Sequence, residues 1–237
     1  MSELINTNPP YNFIEGACLL IDKPLHFTSF DVVNKVRTAL KKKFNIKNIK
    51  VGHAGTLDPL ATGLLIVCTG KFTKRIDELM GQEKGYTGTL RLGETTPSVD
   101  GEFPVDNTFP TAHITSESLQ ASTAQFIGDI MQIPPIFSAI KKDGKKAYEA
   151  ARAGEEIELA ARPVNIREFE LTRIDMPEVD FAVSCSKGTY IRSLVRDFGL
   201  ANGSGAWMSA LRRTRIGDYT IEQAWQLDDL IERINKM

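Results

Sequence analysis

The stretch VGHAGTLDPLATGLLIV, residues 51–67, sets the tightest limits on how this chain can fold. A polar loop carrying His53 and Asp58 among Gly52, Gly55 and Gly63 feeds straight into an apolar run, Leu64 to Val67. Pro59 fixes its own φ and pushes Asp58 out of the helical region. The carboxylate is therefore expected on a stiff turn at the mouth of a buried strand. Such a mounting suits a nucleophile that has to be held still.

The flanking sequence reads as a mixture of strands and helices. Ala17 to Ile21 is a short apolar strand. Thr28 or Ser29 caps a helix whose Val32, Val33, Val36 and Leu40 recur at helical spacing. Phe72 to Met80 reads as a short helix stopped by Gly81, and Tyr86 to Leu92 as a half-buried strand. Thr95 to Asn107, with Pro97, Gly101 and Pro104, is a loop, and Ser118 to Ile127 is helical. Ile136 to Ile140 is expected to be a strand, followed by a turn and a helix over Ala147 to Ala153. Ile166 to Ile174 pairs with Val179 to Ser186. Tyr190 to Phe198 is a helix, Trp207 to Ile216 a strand and Leu227 to Ile234 a last helix. Strands and helices do not alternate regularly, so the fold class is α+β, with a central mixed or largely antiparallel sheet flanked by helices and loops. Residues 1–13 are expected to form a flexible N-terminal arm, and residues 14–237 a single domain.

Composition removes several classes of function. The chain carries 29 basic and 30 acidic residues, a net charge of −1, so no global field attracts polyanions. The charges segregate, however, into basic runs at Lys41–Lys50, at Lys141, Lys142, Lys145 and Lys146, and at Arg212, Arg213 and Arg215. Cys18, Cys68 and Cys185 are widely spaced in apolar surroundings and read as reduced thiols of a cytoplasmic protein. No CxxC pair or histidine spacing suggests a metal site, and no phosphate-binding or dinucleotide fingerprint asks for a nucleotide cofactor. No signal peptide and no membrane-length apolar run is present, and no heptad suggests a coiled coil. The sequence does not reveal the oligomeric state; a monomer is the expectation.

Singly, an Asp-Pro turn, a strand tyrosine or an arginine run is commonplace. Together they form a pattern. GHAGTLDPLATGLL (52–65) resembles the signature loop of the TruB family of tRNA pseudouridine synthases. So, in the same order, do LLIDKP (19–24), KGYTGTLRLG (84–93), IPPIFSAIKKDGKKAYEAAR (133–152) with RPVNI (162–166), and CSKGTYIRSLVRDFG (185–199) with LRRTRIG (211–217). The resemblance runs from about Gly16 to about Asp229.

It implies the pseudouridine-synthase fold and an isomerase that converts uridine 55 in the T loop of tRNA to pseudouridine, with no cofactor or metal. It assigns the catalytic carboxylate to Asp58; a free aspartate titrates near ~4 and is ionised near neutrality. By the same resemblance His53 is the base-flipping histidine, since a stacked uridine is out of reach. Tyr86 stacks on the flipped base and takes part in proton movement, and Tyr190 is a second pocket tyrosine. Arg192 pairs with the catalytic carboxylate, Leu211 is an apolar contact to the base, and Lys23 lies beside the pocket in a mainly structural role. The runs Lys141, Lys142, Lys145, Lys146 and Arg212, Arg213, Arg215 become expected contacts to T-arm phosphates.

Two departures stand out. The family usually reads DKPxGxTS, whereas this chain reads DKPLHFTS, with His26 at the glycine position. A requirement for positive φ there would be met by histidine at some cost. The residues after Tyr219 are also too few for the PUA domain that many members carry, so the catalytic body is expected to hold tRNA without one.

Overall fold

The structure, a computed structural model, describes residues 9–237 apart from Ala139, Asp143 and Glu156; the side chains of Lys141, Lys142 and Lys146 are likewise outside the description. Residues 1–8 of the expected arm therefore lie outside the described residues. In chain order the elements begin β1 (Cys18–Lys23), α1 (Ser29–Phe44), β2 (Val51–His53), β3 (Ala61–Thr69), α2 (Ile76–Gly81) and β4 (Lys84–Leu92). They continue with β5 (Glu94–Thr95), β6 (Asn107–Thr108), α3 (Ser116–Ser122), β7 (Gly128–Gln132), β8 (Lys141–Lys142), β9 (Lys145–Lys146) and α4 (Ala147–Arg152). The last are β10 (Arg162–Asp175), β11 (Glu178–Cys185), α5 (Ile191–Ala201), β12 (Ala206–Ile216), β13 (Tyr219–Thr220), β14 (Trp225–Gln226) and α6 (Leu227–Lys236). Two compact units result, one of residues 1–86 with 212–237 and one of residues 87–211.

In the first unit β1 pairs antiparallel with β3, from Cys18 opposite Cys68 to Lys23 opposite Gly63, and parallel with β14. β2 adds to β3 with His53 opposite Val67. The run LLIVC is apolar throughout because both its faces are covered. Leu65 and Val67 join Leu19 and Ile21 under α1 and α6, while Leu64, Ile66 and Cys68 join Cys18 and Leu20 in a second cluster on the opposite face. Helix α1 starts at a reciprocal cap between Thr28 and Asp31 and buries Val32, Val33, Val36, Ala39 and Leu40. Full burial of each larger aliphatic side chain contributes roughly 1.5–3 kcal/mol.

The second unit contains the antiparallel trio β11–β10–β7, Phe169 lying opposite Val183 and Val164 opposite Ile130. Phe126, Phe169, Phe181 and Phe198 pack there edge to face and tilted. With the parallel β1–β14 pair beside antiparallel ones, the α+β reading with a mixed sheet holds.

Several local expectations change. Ser118 to Ile127 divides into the end of α3 and a 3₁₀ segment, Thr123–Phe126. Phe72 to Met80 divides into a 3₁₀ segment, Gly70–Arg75, followed by α2. β7 is a strand that the sequence pattern did not reveal. Ile136 to Ser138 are bends, not strand: Ser138 N–H turns back to the Ile136 carbonyl, and the carbonyls of Ser138 and Ile140 serve the start of α4. The ladder forms instead across the Lys-rich turn, Lys141 opposite Lys146.

Candidate active site

The loop that carries Asp58 is tied down at each carbonyl from Gly55 to Pro59. Arg213 donates to Gly55 O at 3.1 Å and to Thr56 O at 3.4 Å. Ser29 Oγ donates to Leu57 O (3.2 Å) and accepts from Leu57 N–H (2.8 Å). Ala61 N–H donates to Asp58 O at 3.0 Å. Pro59 O accepts from His26 N–H at 2.8 Å and from Lys23 Nζ at 3.4 Å. Five consecutive carbonyls, Gly55 to Pro59, thus each have a donor, and apart from Ala61 N–H every donor comes from Lys23, His26, Ser29 or Arg213. Asp58 itself is half-buried. A carboxylate on so constrained a backbone is pre-positioned, which spares the reorganisation that a mobile loop would require.

Two buried cations bracket this loop. Arg213 is 1% exposed and adds a 2.7 Å bond from Nε to Leu64 O. Its burial removes it from the expected phosphate contacts, because a guanidinium spent on backbone carbonyls beneath the surface is not presented to RNA. Lys23 is fully buried and also donates to Pro24 O (3.0 Å) and Phe27 O (2.6 Å). Desolvation pulls the Lys23 ammonium down to about 8, while the Asp58 carboxylate opposes the shift. His53 ends β2; burial first, then the Arg213 charge, hold its imidazole below the ordinary histidine value. A neutral ring results near pH 7.

The remaining expected residues fall as follows. In the first unit Tyr86 is buried in β4. Arg212 forks onto Asp22 at 2.7 and 3.1 Å, and Arg215 meets Glu83 at 2.6 Å; both stay partly exposed. In the second unit Leu211 is buried in β12, and Tyr190 precedes α5 with its N–H on Gln132 Oε1 at 2.8 Å. Lys145 is exposed and pairs with Glu155 at 3.2 Å. Lys141, Lys142 and Lys146 have side chains outside the description.

Arg192, 5% exposed, donates to Ser98 O (3.1 Å) and Phe137 O (2.9 Å), and its Nε lies 3.6 Å from Asp100 Oδ2. Asp100 in turn accepts from Ser98 Oγ at 2.5 Å and Glu102 N–H at 3.1 Å. Asp100 and Ser98 were not among the expected residues. The only local hint was a turn-like TTPSVDG segment, and its strain sits at Val99, held at φ 61.

Comparison with known proteins agrees. The profile of the TruB family pseudouridylate synthase N-terminal domain matches residues 41–191, and that of the tRNA pseudouridylate synthase B C-terminal domain matches residues 192–236. The chain is 59% identical over 216 residues to tRNA pseudouridine synthase B of Flavobacterium johnsoniae, covering 91% of this chain and 94% of that one. It is 54% identical over 225 residues to the protein of the same name from Parabacteroides distasonis, covering 94% and 96%. Among solved structures, a chain of the archaeal box H/ACA sRNP Nop10–Cbf5 complex superposes with a TM-score of 0.67 at 27% identity; the match covers 98% of this chain and 61% of that one. By sequence along its length and by fold, the chain belongs to the TruB family of pseudouridylate synthases.

Proposed function

We propose that the protein isomerises uridine 55 in the T loop of tRNA to pseudouridine, acting as a monomer in the cytoplasm. The observation that carries this reading is the Asp58 loop, bonded at each carbonyl from Gly55 to Pro59. The uridine leaves its stack, His53 takes the vacated space, and Tyr86 stacks on the base; Tyr190 and Leu211 keep the roles that the family resemblance gives them. Asp58 then acts on the sugar or the base. The N1–C1′ bond breaks, the uracil turns, and a C5–C1′ bond forms. The proton on C5 is lost to solvent and N1 gains one. Lys145, Arg212 and Arg215 meet T-arm phosphates, and affinity falls with salt accordingly.

Tritium release from a tRNA transcript labelled at uridine C5 tests the reading. The wild-type protein releases tritium, and Asp58→Asn releases none while still binding the tRNA. Turnover by that variant would remove Asp58 from the chemistry. A wild-type protein that binds without release would be an RNA-binding protein, not an isomerase.

A further inference from the structure

We propose that the turn formed by residues 24–30 is a second RNA-contact surface, on which the His26 imidazole and the Phe30 ring receive an unstacked nucleobase neighbouring the one that reacts. The proposal rests on the RNA substrate proposed above.

The argument starts from strain. His26 sits at φ 66, a left-handed conformation that costs an L-residue energy and that glycine adopts freely. The backbone has a reason to be there, because the His26 N–H reaches Pro59 O beside Asp58. The side chain has none inside the protein. It is exposed, and among the described residues it makes no hydrogen bond or ion pair. Glycine would serve the backbone at lower cost, so the ring is what distinguishes this turn.

The surroundings point the same way. Leu25 is 48% exposed and Phe30 60% exposed, so three large side chains within six residues stand in solvent. Scattered exposed apolar groups are ordinary, but these lie within one short stretch, Leu25 and His26 on the turn and Phe30 in the first turn of α1. Lys23 clamps its carbonyls at Pro24 and Phe27, and Ser29 Oγ ties its end to Leu57. The rings are therefore mounted on the same fixed backbone as Asp58. The guanidinium of Arg37 lies 5.9 Å from the Phe30 centroid and polarises that ring.

A base suits this surface better than a phosphate does. At the start of α1 the Thr28 side chain already serves the Asp31 N–H, and the Asp31 carboxylate, bonded to the Thr28 N–H, repels an anion there. Unstacked bases of RNA loops pack on aromatic rings, histidine included.

Steady-state tritium release from labelled tRNA transcript separates the possibilities, using His26→Gly, Phe30→Ala and the double variant. His26→Gly relieves the positive φ and keeps the Pro59 bond, so the Asp58 loop stays in place. For the double variant KM rises about tenfold and kcat stays within twofold, the effect of losing one stacked base. An abasic substitution at the recognised T-loop position raises the wild-type KM equally and adds nothing to the double variant. A double-variant KM within twofold of wild type overturns the proposal, and so does a fall in kcat at constant KM, which would make the turn a support for the loop. Failure of the isomerase reading looks different, since wild-type protein then releases no tritium at all.

Discussion

Replacing Arg213 by methionine separates the two roles open to this residue. The side chain donates to Leu64 O at 2.7 Å, Gly55 O at 3.1 Å and Thr56 O at 3.4 Å. The longest of these is the weakest, and the sum for the other two leaves it out. Hydrogen bonds from a charged group contribute about 1.5–3 kcal/mol each, so the two shorter ones together represent roughly 3–6 kcal/mol. Two effects offset part of that loss. Methionine removes the desolvation cost of a buried cation, and the Gly55 carbonyl, on a half-exposed residue, recovers water. A net destabilisation of about 2–4 kcal/mol is expected, which a domain of ordinary stability survives. The effect on chemistry is larger in proportion. A displacement of the Asp58 loop by about 1 Å lowers the single-turnover rate of tritium release by roughly 10²-fold. Affinity for tRNA and its dependence on salt stay as in the wild type, because the buried guanidinium meets no phosphate. The assays are urea unfolding, single-turnover release with enzyme in excess, and binding over a series of salt concentrations. An unchanged urea midpoint and rate, with the salt slope shallower by about one, would refute this reasoning and restore Arg213 to the phosphate contacts.

Lys23 gives a pH test. With its native value at about 8 against the ordinary 10.5, the unfolded chain binds more protons than the native one between about pH 8 and 10.5, so this residue makes stability rise with pH across that window and fall as pH drops through it. NMR of ε-¹³C-labelled lysine should show one group titrating near 8, and Asp58→Asn should move that midpoint down, since the carboxylate is what supports the charge; a midpoint near 10.5 would contradict the buried ammonium. Gly63→Ala is expected to destabilise by at least about 3 kcal/mol, read as a fall in melting temperature, because φ is 103 and a Cβ would stand 2.3 Å from Arg213 O and 2.6 Å from Arg213 N. An alanine variant with wild-type melting would mean that β3 and β12 can part there without cost.

What the sequence revealed and what it hid divide along a physical line. Helix α1 was legible because its cap, Thr28 with Asp31, and its apolar spacing, Val32 to Leu40, are local properties. β3 was legible because a strand covered on both faces has to be apolar at every position. The unusual backbone at residue 26 was legible from its place in the DKPLHFTS motif. Arg213 was misread because charge clustering drew attention away from strand parity. In an extended LRRTR, Leu211 and Arg213 project to the same side, and that alternation was the available signal for a buried arginine. Asp100 left no such trace, since its partner Arg192 is remote in sequence and the turn between Thr96 and Asp100 has no periodic pattern. The same limit applies to the Asp58 loop. Its histidine and carboxylate are plain in GHAGTLDP, but what fixes the carboxylate is a set of backbone carbonyls, which have no residue identity. Their donors, Lys23, His26, Ser29 and Arg213, arrive from segments that only the tertiary fold brings together. A reactive group is thus a property of residue type and short spacing, whereas its rigidity is a property of the fold. Substitutions that leave every motif residue in place, such as Arg213→Met, should therefore be able to silence the site.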